Sequence, residues 1–235
     1  MKKVIPWLLC LGALLSTQAF VLWQEKNIGL TVYFQPVFQG EKIVLDQALR
    51  NSENDSLALH TLRFYLSHFV FLKNGTVVLE EKNSYHLLDV ENENSLILTF
   101  EEAQNLDFDH IQFNLGIDSL TQISGAMGGD LDPTKGMFWT WQSGYINVKL
   151  EGFSAKSPAR NHTFQFHLGG YLTPFQSVQT VKLSVHKGRN LQLQMDLAPF
   201  FEQVDLAKKH SIMSPGEEAV ALSRILANSF SIYEK

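Results

Sequence analysis

Seven stretches of this chain alternate apolar and polar residues with a period of two, and that alternation limits the fold more than any other feature. Leu30, Val32 and Phe34 share one phase in NIGLTVYFQPVF, Leu62, Phe64 and Leu66 in HTLRFYLSHFVF, and Ile111, Phe113 and Leu115 in HIQFNLGID. Ile146, Val148 and Leu150, then Phe164, Phe166 and Leu168, then Val181, Leu183 and Val185 repeat the pattern, and Leu191, Leu193, Met195 and Leu197 close it. Successive side chains of a strand point to opposite faces, so each run buries one face and wets the other, as antiparallel sheets do. Turn signals separate the runs at Lys73-Asn74-Gly75, Gly128-Gly129-Asp130, Asp132-Pro133 and Lys187-Gly188. This punctuation predicts an all-β protein, an antiparallel β-sandwich of roughly eight to ten strands.

Helix is sparse. SPGEEAVALSRILANSF predicts a C-terminal α-helix with Ser214 as N-cap, Pro215 in the first turn and Glu217 completing a capping box. Val220, Leu222, Ile225, Leu226 and Phe230 would form its apolar stripe. FEEAQN, from Phe100, predicts a short helical turn, and residues 41–58 read as loop with at most a weak strand.

Residues 1–19 combine a Lys-Lys start, an apolar stretch from Val4 to Leu15 and a small-residue exit at Ala19. That is the plan of an export signal, too short to span a bilayer permanently. Residues 20–235 are then expected to form a single domain outside the cytoplasm, periplasmic or secreted, with no further membrane span. The only cysteine, Cys10, lies in the signal. An exported domain without thiols has no disulfide framework, zinc-thiolate site or cysteine nucleophile. A net charge of −5 and no Lys/Arg run argue against a nucleic-acid partner.

The eight histidines are therefore the main pool of metal ligands. His167 and His110 fall in the polar phase of their strands, whereas the phase of His86 in SYHLLDVEN is ambiguous. A lone strand histidine is more often a hydrogen-bonded surface residue than a ligand, and no H-E-x-x-H spacing is present. Asp130 and Asp132 in GGDLDPTKG read first as turn residues, with a calcium loop as the weaker alternative. Ser67 and His68 are strand neighbours and point apart, and no G-x-S-x-G elbow occurs, so hydrolysis has no support. Two of the four tryptophans, Trp139 and Trp141, share a phase in GMFWTWQSGYINVKLEG. They read as a core aromatic patch or as residues beside a metal, and periodicity does not choose between these.

LRFYLSHFVF, SYHLLDVENENS, FNLGID, GGDLDPTKGMFWTWQSGYINVKLEG and FQFHLGG together resemble the MbnP-like family, named for a methanobactin-associated periplasmic copper-binding protein and related to the MopE and CorA copper proteins. The resemblance covers about residues 28–230, with MFWTWQSGYIN followed by FHLGG as its most specific part. It implies a β-rich exported protein, not an enzyme, that serves copper acquisition or homeostasis. It also implies Cu(I) held by two histidine nitrogens near a kynurenine made from tryptophan, with the oxidation attributed to a MauG-like dihaem partner of the cytochrome c peroxidase superfamily. By position, His167 and then His86 are the implied ligands, and Trp139 or Trp141 the implied oxidised residue. Asp89 or Gln165 are the expected second partners of the imidazoles. MopE-like sites place a histidine two residues after the modified tryptophan, where this chain has Trp141. The rival reading is a metal-free sandwich that recognises a protein or sugar through exposed aromatics around Trp139 and Trp141.

Overall fold

The computed structural model describes residues 29–50, 56–141, 144–186 and 190–233. The expected export signal at 1–19, Cys10 and the Lys187-Gly188 turn lie outside them. The strands are β1 (Leu30–Phe38), β2 (Glu41–Lys42), β3 (Ala48–Arg50), β4 (Ser56–Lys73), β5 (Thr76–Glu80), β6 (Tyr85–Asp89), β7 (Ile97–Phe100) and β8 (His110–Leu115). They continue with β9 (Phe138–Trp139), β10 (Gly144–Ser154), β11 (Thr163–Gly169), β12 (Gln179–Ser184), β13 (Asn190–Asp196), β14 (Ser211–Ile212) and β15 (Phe230–Ile232). Three short α-helices join them: α1 (Ser119–Ile123), α2 (Ala198–Gln203) and α3 (Glu217–Ala227).

The smaller sheet runs β15-β13-β1-β2, with β7 also on β1, and the larger runs β12-β8-β4-β10-β11-β14, with β3, β5 and β6 on β4 and β9 on β10. The sandwich expected from the alternation is therefore present, with short edge strands that carry too few residues to show a period. It is not wholly antiparallel: β1 pairs with β13, and β11 with β14, in parallel. Most of the predicted inward residues meet between the sheets, including Leu30, Val32, Phe34, Leu62, Phe64, Leu66, Phe113, Phe166 and Leu193. Phe113 contacts the rings of Phe34, Phe69 and Phe230 edge-on or tilted at 5.3–6.2 Å, within the range favoured by aromatic quadrupoles.

The strand β4 spans both ends of the sandwich, and its hairpin to β5 follows from Asn74 (φ 49°) and Gly75 (φ 79°), whose paired left-handed conformations match the strand twist. His68 (φ 53°) sits where the β4–β8 register slips between Ser67 and Val70. A second slip interrupts β10 between Ile146 and Val148. It turns Ile146 away from the shared phase expected for Ile146, Val148 and Leu150, and Ile146 joins a second apolar cluster with Tyr65, Ile117, Leu131, Met137, Trp139 and Tyr145. That cluster covers one end of the larger sheet's outer face. For this reason β10 is buried continuously from Gly144 to Val148 and alternates only beyond it.

The helix at the C-terminal end differs from expectation at both ends. It begins at Glu217 with Gly216 as N-cap and no side-chain cap bond, so the Ser214–Glu217 capping box does not form. It stops at Ala227, and Phe230 belongs to β15, where it pairs with Met195. The β-ladder partner offered by β13 outweighs continuation of the helical stripe. The Glu101–Ala103 turn is a single 3-10 turn.

Candidate functional site

The outer face of the larger sheet carries a row of charged and polar side chains in register across four strands. Asp89 of β6 lies opposite Arg63 of β4, Arg63 opposite Lys149 of β10, and Lys149 opposite His167 of β11. The Arg63 guanidinium meets Asp89 at 2.8 Å and Glu91 at 3.2 Å. His167 does occupy the polar phase of β11, yet it is only 7% exposed. Its Nε2 lies 2.6 Å from Glu151 Oε1. This hydrogen bond holds the Glu151 carboxyl below its ordinary range against the opposing effect of burial, with Lys149 and Thr61 helping.

Trp139 stands over the same face. Gly169 is two residues along β11 from His167, and a Cβ there would come within 2.7 Å of the Trp139 ring and 2.6 Å of the Tyr145 carbonyl. Only glycine lets the indole settle against the strand. Trp139 is 5% exposed, and its Nε1 proton is buried with no acceptor among the described residues. Such an orphaned donor costs free energy in a finished core, so it marks a place where a hydrogen-bond acceptor fits. Trp141 shares the patch but not the burial. It is 64% exposed, and its ring centroid lies 5.9 Å from that of Trp139.

The remaining expected ligand is elsewhere. His86 is in register with Leu66, whose face of β4 looks into the core between the sheets, whereas His167 is aligned with Arg63 on the outward face. Its ring packs edge-on against Phe69 and Phe100, and Nε2 lies 3.0 Å from Glu81. The two imidazoles are thus on opposite sides of one sheet and do not converge. The carboxylates that partner them are Glu151 and Glu81; Asp89 is taken by Arg63, and Gln165 is exposed. Glu151 is legible only once β10 and β11 are known to pair, because its polar phase then abuts that of His167.

The other candidates have local duties. His110 meets Asp109 at 2.7 Å, and His68 lies 3.7 Å from Glu80. Asp130 accepts from the Leu87 N–H and pairs with Lys135, and Asp132 accepts from the Thr134 N–H. These are turn-stabilising contacts. No group of three or more His, Cys, Asp or Glu able to hold a metal occurs among the described residues. Tyr65 donates to the Asp130 carbonyl at 2.9 Å, and burial pushes its phenol well above the ordinary value.

Fold and site define a class: a two-sheet β protein whose outer face sets a histidine–carboxylate pair beside a buried tryptophan. A family model described as MbnP matches residues 27–214. The chain belongs to the MbnP family. Among solved structures it is similar in fold to MbnP from Methylosinus trichosporium, at 16% identity over 76% of this chain and 78% of that chain, with a TM-score of 0.52. No curated protein matches it.

Proposed function

We propose that this is an exported, non-enzymatic copper-binding protein of copper acquisition or homeostasis, with Cu(I) bound on the outer face by His167 beside Trp139. Family membership supports the general reading. The observation that supports the site is the buried His167, fixed by Glu151 on the strand face over which Trp139 packs. Cu(I) suits imidazole and needs no thiolate. With His167 Nε2 donating to Glu151, Nδ1 is the nitrogen left for a metal, and the carboxylate fixes the ring's tautomer and orientation. His86, turned to the core, is left out of the proposed centre.

Trp139 is the proposed site of oxidation to kynurenine: water supplies the oxygen, ring carbon C2 leaves as formate, four electrons and four protons are removed, and a carbonyl and an amine replace the orphaned indole N–H. A MauG-like dihaem partner would remove the electrons, and exposed Trp141 is the aromatic through which they leave. Cu(I) titration against a competing chelator tests the ligand: His167→Ala abolishes binding and His86→Ala leaves it intact. Unchanged affinity in His167→Ala would overturn the assignment. Peptide mass mapping of protein from its native host tests the oxidation, and an unmodified Trp139 peptide from copper-loaded protein refutes that part.

A further inference from the structure

The loops at the end of the sandwich above Trp139 expose large apolar side chains. Leu120 is 79% exposed and Leu172 62%, and Ile123, Trp141 and Phe175 stand out beside them. The segments that carry these side chains, residues 119–129 beyond the helix-capping Asp118, 136–141 and 171–176, contain no Asp, Glu, Lys or Arg, although 18% of the chain is charged. A contiguous exposed apolar patch marks an interaction site.

The loops are tied to one another and to the sheet. Asn147 of β10 accepts from the Ile117 N–H at 3.0 Å and donates to Ser177 at 2.9 Å. Gln122 of α1 accepts from the Tyr145 N–H at 2.8 Å. Ser119 donates to the Tyr171 carbonyl at 3.0 Å and accepts from Gln176 at 3.1 Å. A Cβ on Gly170 would meet Pro215, which places the 211–216 segment in the same assembly. So anchored, the apolar tips cannot fold back and bury themselves.

We propose that this end is a lipid-docking surface that seats the protein on an uncharged bilayer face. A protein partner is the less favoured occupant, because protein interfaces carry a polar rim whose charges steer approach and fix register, and the segments that bear the exposed apolar tips have none. Lipid demands no register. Tryptophan and tyrosine prefer the boundary between headgroups and acyl chains, where Trp141 and Tyr171 would lie, and leucine and isoleucine tips enter beneath it. The net charge of −5 opposes anionic headgroups, so neutral zwitterionic lipid is the matching phase. Contact is peripheral: among the described residues no helix is long and apolar enough to cross a membrane. The inference does not depend on copper.

Flotation with phosphatidylcholine vesicles at low and high salt is the test. The purified protein floats with the vesicles equally at both, and Trp141 emission shifts to the blue and is quenched by brominated acyl chains, a signal lost in Trp141→Phe. The double variant Leu120→Asp with Leu172→Asp, both at exposed positions that leave the fold and thermal midpoint unchanged, partitions at least about tenfold less. The proposal is overturned if wild type does not float, or if the double variant floats as well as wild type. It is overturned equally if, without flotation, the patch instead drives self-association or capture of a protein that the double variant loses.

Discussion

Replacing Gly169 by alanine tests whether the strand β11 is shaped around Trp139. The added Cβ would lie 2.6 Å from the Tyr145 carbonyl oxygen and 2.7–2.8 Å from two Trp139 ring carbons. The ring can yield, but the carbonyl belongs to β10, which is held there between β9 and β11. Relief therefore requires either a spread of the β10–β11 ladder or displacement of the indole together with a backbone shift. Overpacking of this kind costs about 2–3 kcal/mol. For a domain of this size that lowers the thermal midpoint by roughly 4–12 °C. Scanning calorimetry measures the midpoint, and near-UV circular dichroism follows the Trp139 environment. Gly128→Ala is the control: Gly128 has φ −98° and nothing within 4 Å of the added carbon, so its midpoint is unchanged. If Gly169→Ala melts with Gly128→Ala and keeps the wild-type aromatic spectrum, the close packing of Trp139 on β11 is wrong.

Phe113→Ala empties the junction of Phe34, Phe69 and Phe230 and costs about 3–5 kcal/mol in denaturant unfolding. Asn147→Leu leaves Ile117 N–H and Ser177 without their partner and costs about 2–4 kcal/mol, with faster amide exchange in the 117–127 loop as the local sign. Glu151 has its carboxyl lowered in the folded state by His167, so its stabilising contribution is complete above the ordinary carboxylate range and is lost as pH falls through the lowered value. Glu151→Gln therefore costs about 1 kcal/mol at neutral pH, and urea midpoints of variant and wild type converge in acid. A constant gap across that range counts against the His167–Glu151 pairing.

The large sheet faces were readable because period-two alternation reports directly which side of a strand meets the core. Short edge strands such as β2 and β14 have two residues each and show no period. The β10 slip at Ile146/Val148 was hidden as well, since one extra residue reverses every side chain beyond it without changing composition. The same arithmetic separated His86 from His167. Each sits in a plausible strand, but which face an imidazole takes depends on register with β4, which no local pattern encodes. Trp139 and Trp141, identical in phase, parted because the chain turns after Trp139 to begin β10, leaving one indole under the loops and the other outside. The helix end at Ala227 escapes the local pattern for a related reason: Phe230 fits a helical stripe, but β13 offers it a ladder.

The parallel pairing of β1 with β13 joins Thr31 to Asn190 and Val37 to Asp196. A chain delivered from its N-terminus therefore presents β1 long before its central neighbour exists, and the smaller sheet cannot close until almost the last residues arrive. Such distant pairing makes assembly slow and keeps the polypeptide open during synthesis, since loop closure must be completed before the ladder rewards it. The fold's own topology thus postpones completion of the smaller sheet until nearly the whole chain is present.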